Sequence, residues 1–170
     1  EVDTSEEVRD LAGGEADVAL RVSKQPTGAG LVCRRLTHDP WTVYCSRTYA
    51  EQHGVPRRIE ELARAPFIGG GEPEVWAQYQ QWLIEHGLEG QVVMHHNSST
   101  GLLAAVRAGM GLAVLPCLAA DGDPDLVRCL PPLDGVTVSL WLVYHERFRH
   151  EPRIRAVLDF LAPRIPRYAS

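Results

Sequence analysis

No apolar run in this chain approaches the roughly 20 residues that a membrane-spanning helix needs. Its 17 lysines and arginines form no stripe, and the formal net charge is -5, so a direct grip on a phosphate backbone is disfavoured. The first residues, Glu1-Val2-Asp3, have neither the basic nor the apolar part of an export signal, which makes a cytoplasmic chain the expectation. There is no Gly-x-Ser-x-Gly elbow, and nothing pairs Ser98 or Ser99 with a base, so serine hydrolysis is disfavoured. The triple glycine Gly69-Gly70-Gly71 lacks the Lys-Ser or Lys-Thr that follows in a phosphate loop. Gly109-x-Gly111 stands after a helical stretch and before an apolar one, the reverse of the strand-turn-helix order of a dinucleotide site. Internal repeats, low-complexity tracts and coiled-coil seams are missing too. Nothing here demands catalysis, and no cofactor is expected.

Metal and disulfide chemistry are equally thin. Cys33, Cys45, Cys117 and Cys129 are widely and unevenly spaced, and three of them lie in apolar or strand-like runs; they read as reduced, buried thiols. His95 and His96 adjoin in the strand-like Val92-Val93-Met94-His95-His96, where neighbouring side chains point to opposite faces and do not readily share an ion. One is read as solvated, the other as hydrogen-bonded near a strand end. No metal is expected.

What is present is an α/β pattern. A chain of 170 residues with 45% hydrophobic content suffices for one substantial core or two small lobes. From Ala104 to Pro116 an amphipathic helix stops at Gly109, where glycine permits a left-handed backbone, and passes into the uninterrupted apolar run Leu112 to Leu115. Upstream, Thr4 with Glu7 fits a capping box, Gly13-Gly14 ends the short helix it would open, and Ala16 to Val22 reads as a buried strand. Two extended segments follow, Leu31 to Leu36 and Trp41 to Ser46. Pro56 starts a linker into a short helix, Ile59 to Arg64. Phe67-Ile68 is a brief strand, the glycines open a loop, and a helix runs from about Pro73 to His86, closed by Gly87. Gln91 to His96, Leu126 to Leu130 and Val136 to Tyr144 read as strands. Ile154, Val157, Leu158 and Leu161 recur at helical spacing in the last element.

Three places could meet a ligand. Asn97-Ser98-Ser99-Thr100 offers amide and hydroxyl groups at a helix start, where unpaired N–H groups and the helix dipole favour an anion, although capping alone explains them. Gly69-Gly70-Gly71 is either a flexible turn or a close backbone approach to a ligand. Arg21, ending an apolar strand, either presents its guanidinium at a cleft or reaches solvent.

Leu11-Ala12-Gly13-Gly14-Glu15-Ala16-Asp17-Val18-Ala19-Leu20-Arg21 carries a Gly-Glu-x-Asp turn leading into an apolar strand. Tyr49 to Pro56, Ile59-Glu60-Glu61-Leu62, Val106 to Pro116, Trp141-Leu142-Val143-Tyr144 and Pro152 to Leu161 follow in order. In sequence and spacing this series resembles the effector-binding domain of LysR-type transcriptional regulators, over nearly the whole chain.

The resemblance implies an α/β fold of the type 2 periplasmic-binding-protein kind: two α/β lobes joined by two crossing strands, with a small-molecule effector bound between them. Lobe one would hold residues 1–44 and 145–170, and lobe two residues 45–144. Relative to the family pattern the chain is N-terminally truncated, lacking the first strand and helix of lobe one and the winged helix-turn-helix through which DNA would be bound. Carried over by position, the effector would meet Arg21, Gly69, Gly70, Gly71, Asn97, Ser98, Ser99 and Thr100. A non-enzymatic, ligand-sensing regulatory domain follows, with an organic anion as the fitting effector class, no membrane partner, and a homodimer or homotetramer as its assembly. The alternative with the same fold is an extracytoplasmic solute-binding protein of a transporter.

Overall fold

Regular structure runs in the order β1 (Val18–Ser23), β2 (Leu31–Ser46), α1 (Arg47–His53), α2 (Ile59–Leu62), β3 (Phe67–Gly70), α3 (Pro73–Glu85), β4 (Val92–His96), α4 (Ser99–Arg107), β5 (Ala113–Pro116), α5 (Cys117–Ala120), β6 (Leu126–Arg128), β7 (Thr137–His145) and α6 (Pro152–Leu161). The computed structural model describes residues 2–3, 7–23, 25–70, 73–161 and 163–165. The capping box expected at Thr4 and the glycine at 71 lie outside them. Two compact units divide the chain, residues 1–39 with 138–170 and residues 40–137. The chain passes from the first to the second within β2 and returns at the start of β7.

In the first unit β7 lies between β1 and β2. β1 runs antiparallel to it, from Val18 opposite Tyr144 to Ser23 opposite Ser139. The helical stripe foreseen in the last element is the core contact: Ile154, with Leu142 and Tyr144, is buried, and Val157, Leu158 and Leu161 pack around them with Val18, Val32, Leu36 and Phe148. β1 is less enclosed than its apolar sequence promised. Leu20 and Val22 are 51% and 41% exposed, because among the described residues β1 has a strand partner on one side only.

The short helix expected before Gly13 is replaced by a closed loop. The Glu15 N–H donates to the Asp10 carbonyl at 3.0 Å. The Asp10 N–H donates to the Glu15 carboxylate at 2.8 Å, and the Ala12 N–H to the Asp10 carboxylate at 2.9 Å. These local side-chain acceptors compete with helical bonds and win. The loop is tied down by Arg147, whose guanidinium donates to the carbonyl of the buried Leu11.

In the second unit the later half of β2 pairs antiparallel with β5 on one side and β6 on the other, Tyr44 standing opposite both Ala113 and Arg128. The two extended segments foreseen at Leu31 and Trp41 are thus one strand. Pro40 precedes the β5 ladder, which begins at Trp41, so its missing N–H removes no rung there. β3 is parallel to β4, and on its other side it meets Leu112: Ile68 donates to the Leu112 carbonyl and Leu112 to the Pro66 carbonyl, both at 2.8 Å. Ala113, Val114 and Leu115 are buried, as an apolar run enclosed on both faces must be.

Two helices end alike. After α4 the Gly109 N–H bonds the Val106 carbonyl and the Met110 N–H bonds that of Ala105; after α3 Gly87 bonds Ile84 and Leu88 bonds Leu83. Both are Schellman caps, and the glycines sit at φ of 77° and 65°. The helix α1 had no stripe to announce it, since only Tyr49 in it is buried; it forms because Ser46 caps it, its hydroxyl accepting from the Tyr49 N–H at 3.0 Å.

Candidate functional site

Parallel strands gather their C-terminal ends, and the helices that follow, along one edge of a sheet, which is where α/β folds hold ligands. In the second unit β3 ends at Gly70 and β4 at His96, and the register sets Gly69 opposite His95 and Gly70 opposite His96. Gly69 and Gly70 and the start of the Asn97–Thr100 segment, distant in sequence, are therefore neighbours. Gly69 and Gly70 belong to a buried strand rather than to a loop.

Each glycine has its own reason. At Gly70 φ is 115°, and an added Cβ would fall on the His96 carbonyl oxygen. At Gly69 an added Cβ would lie 2.7 Å from the Trp76 ring and 2.9 Å from that of His95. Those two rings meet edge to face with centroids 4.4 Å apart, and Trp76 meets Tyr79 the same way at 5.1 Å. Tyr79 is fully buried and its hydroxyl donates to the Ile68 carbonyl at 3.2 Å. Burial holds that phenol neutral by pushing its pKa far above the usual value. Glycine at position 69 is thus the floor on which a Trp–His aromatic pair rests.

Ser98 is the N-cap of α4, its hydroxyl accepting from the Gly101 N–H at 3.1 Å. Asn97, Ser99 and Thr100 are exposed around it. His96 lies half-buried against Gly101, where an added Cβ would stand 2.8 Å from its Nδ1. Its Nε2 is buried without a hydrogen-bond partner among the described residues, where a satisfied histidine had been expected. Trp76 goes unremarked in the sequence, and His95 and His96 are weighed there as metal ligands, not as neighbours of the glycines. Only the β3–β4 register reveals them, and nothing in the local sequence encodes it. Among the described residues no group of three or more His, Cys, Asp or Glu could hold a metal ion.

Arg21 belongs to the first unit. It stands opposite Trp141 in the β1–β7 ladder, half-buried, and its guanidinium donates to the Arg9 carbonyl at 3.0 Å. At least one arm of the guanidinium therefore ties down the segment ahead of β1.

The family model described as the LysR substrate binding domain matches residues 1–165. The chain belongs to that family. The LysR substrate-binding domain here is 26% identical over 161 residues to a probable HTH-type transcriptional regulator LtrA of Klebsiella pneumoniae, covering 88% of this chain and 51% of that protein. It is 30% identical over 165 residues to an HTH-type transcriptional regulator of Xanthomonas campestris, covering 92% of this chain and 48% of that one. It therefore spans about half the length of these curated relatives. Among solved structures it resembles the regulatory domain of CrgA, a LysR-type transcriptional regulator from Neisseria meningitidis, with a TM-score of 0.74 and 25% identity over 95% of this chain and 81% of that one. The LysR membership fixes the type 2 periplasmic-binding-protein-like α/β class of the fold.

Proposed function

We propose that this LysR domain is the effector-sensing part of a DNA-binding transcription regulator, and that it recognises a small organic anion at the C-terminal ends of β3 and β4. The observation that carries the reading is the convergence of Gly70, His96 and the capped start of α4 in one place. Backbone N–H groups at the first turn of a nine-residue helix carry a partial positive charge suited to a carboxylate or phosphate. The Trp76–His95 pair supplies an apolar and aromatic wall beside it. Arg21 remains a candidate by the family resemblance alone, as does position 71.

The regulator reading brings further proposals with it. DNA is bound by a helix-turn-helix segment outside this chain, the protein assembles as a homodimer or homotetramer, it works in the cytoplasm, and it catalyses no reaction. The relatives are regulators by name, and no helix among the described residues is long and apolar enough to cross a membrane. No finding favours the solute-binding alternative. For the domain to switch anything, the effector must bind one arrangement of the protein more tightly than another; equal affinity would shift nothing.

The test is thermal unfolding of the natural full-length protein against a panel of carboxylates, phosphates, amino acids and aromatic acids, because a ligand that binds only the folded state raises the melting temperature with dose. A shift weakened by Thr100→Trp, which crowds the first turn of α4, supports the site. An effector whose shift and promoter response survive that substitution unchanged sinks this location.

A further inference from the structure

We propose that Asn97 is a site of spontaneous deamidation, a covalent change that accumulates as the molecule ages and alters its effector site. Asn97 is the one asparagine among the 170 residues, and asparagine is a thermally labile side chain. β4 ends at His96, whose register partner Gly70 is the last residue of β3, so Asn97 stands beyond that ladder. α4 begins at Ser99 with Ser98 as its N-cap, and the first amides of a helix have no acceptor within it. The peptide bond between Asn97 and Ser98 therefore belongs to neither hydrogen-bonded element. Among the described residues neither the Asn97 amide nor the Ser98 N–H has a hydrogen-bond partner. Asn97 is open to water, and Ser98 is extended at φ -142° and ψ 149°, with a small side chain that leaves its nitrogen approachable.

The Ser98 nitrogen attacks the side-chain carbonyl carbon of Asn97, the new C–N bond closes a succinimide ring, and the side-chain nitrogen leaves as ammonia with the Ser98 proton. Water then opens the ring at either carbonyl. Opening at the side-chain carbonyl leaves aspartate. Opening at the backbone carbonyl leaves isoaspartate, whose main chain runs through the former side chain and is one carbon longer. In sum water replaces ammonia, nothing is oxidised or reduced, and no other reagent is consumed. Both products carry a carboxylate where a neutral amide stood. The consequence rests on the reading of α4 as an anion site: the new charge, one residue ahead of the N-cap, suits the helix dipole but repels an anionic effector. Isoaspartate also displaces Ser98, whose hydroxyl accepts from the Gly101 N–H at 3.1 Å. An old molecule would thus stay folded while losing its response.

The experiment holds the natural full-length protein, folded, in warm and mildly alkaline buffer, withdraws samples over days, digests them and reads masses. Cleavage after Glu89 and Arg107 isolates peptide 90–107, which carries Asn97 and, as an internal comparison, Gln91. The sample taken at the start sets the background from digestion. The expected result is a growing fraction of that peptide in which residue 97 alone has gained the mass difference between NH2 and OH. It should divide into two isomers, of which a protease that cleaves before aspartate cuts only one. Asn97→Gln, which would need a larger and slower-forming ring, stops the conversion. Ser98→Gly, which keeps a tolerated cap and further uncovers the nitrogen, speeds it several-fold. Peptide 90–107 unchanged in the folded protein overturns the proposal, most plainly where urea-unfolded protein forms both isomers in the same time. Inorganic phosphate separates this failure from that of the anion site. The proposed consequence requires that Asn97→Asp keep the ligand-free melting temperature and lose the rise that phosphate gives the parent. A rise equal to the parent's, with the peptide converting, establishes the modification and removes the anion from the start of α4.

Discussion

Gly70 and His96 touch through their backbones: the register pairs them across β3 and β4, and any Cβ at residue 70 would land on the His96 carbonyl oxygen. With φ at 115°, alanine there is strained as well as obstructed. Gly70→Ala should therefore cost about 3 kcal/mol or more, adding overpacking to backbone strain. Urea unfolding checks it. A variant as stable as the parent would mean that the Gly70 Cα does not lie against the His96 carbonyl. The same contact makes residue 70 a poor probe of ligand binding, since its substitution disturbs the sheet first.

Gly109 and Gly111 flank Met110 but are required for different reasons, and alanine should separate them. Gly109 is left-handed at φ 77° with its nearest obstacle, the Ser46 hydroxyl, 3.5 Å from an added Cβ. Gly109→Ala is expected to cost about 1 kcal/mol through conformation alone. At Gly111 an added Cβ would stand 2.5 Å from the Pro66 carbonyl oxygen, the acceptor for the Leu112 N–H. Gly111→Ala forces that rung apart and should be the more damaging of the two. Equal losses in denaturant midpoints would contradict the distinction.

Where helices and strands announced themselves by period or punctuation, the sequence could be read directly. Gly109 ended its helix as its freedom at positive φ allows, and Ile154, Val157, Leu158 and Leu161 met the core as their spacing demands. The reading failed where one interaction replaced a pattern. Asp10 and Glu15 closed a loop by side-chain bonds that no periodicity measures, and α1 rests on a single cap and one buried tyrosine. The candidate site was half legible for the same reason. Asn97 to Thr100 showed as a helix start, whereas Trp76 over Gly69 beside His95 depends on the register of two strands with α3 between them in sequence. Arg21 could be located on its strand but not given its partner, the Arg9 carbonyl.

Alkaline pH should unfold this protein through its buried phenols. Burial raises the pKa of Tyr79, and burial together with the bond to Asp121 raises that of Tyr44, so neither ionises in the folded state near pH 10. In the unfolded chain both ionise at about pH 10. Their contribution to stability is thus complete below that value and is lost as pH rises above it, Tyr79 alone removing about 1.4 kcal/mol per pH unit. Unfolding free energies measured from pH 8 to 11 check the slope. In Tyr79→Phe that slope should become shallower by one proton; an unchanged slope would mean that Tyr79 titrates freely in the folded protein.

Ser98 offers a way to separate capping from recognition, because both roles fall on one side chain. Its hydroxyl accepts from the Gly101 N–H, so Ser98→Ala should cost about 1 kcal/mol whether or not a ligand binds nearby. Ser98→Asp behaves differently: a carboxylate caps as well as a hydroxyl and suits the helix dipole, so the melting temperature should hold or rise. The added negative charge nevertheless occupies the place proposed for an anion, and repulsion there should abolish the effector-dependent rise in melting temperature. Stability retained with response lost locates an anionic effector at the start of α4. Stability retained with response intact removes the anion from this helix, and the capping role of Ser98 is then sufficient to explain its presence.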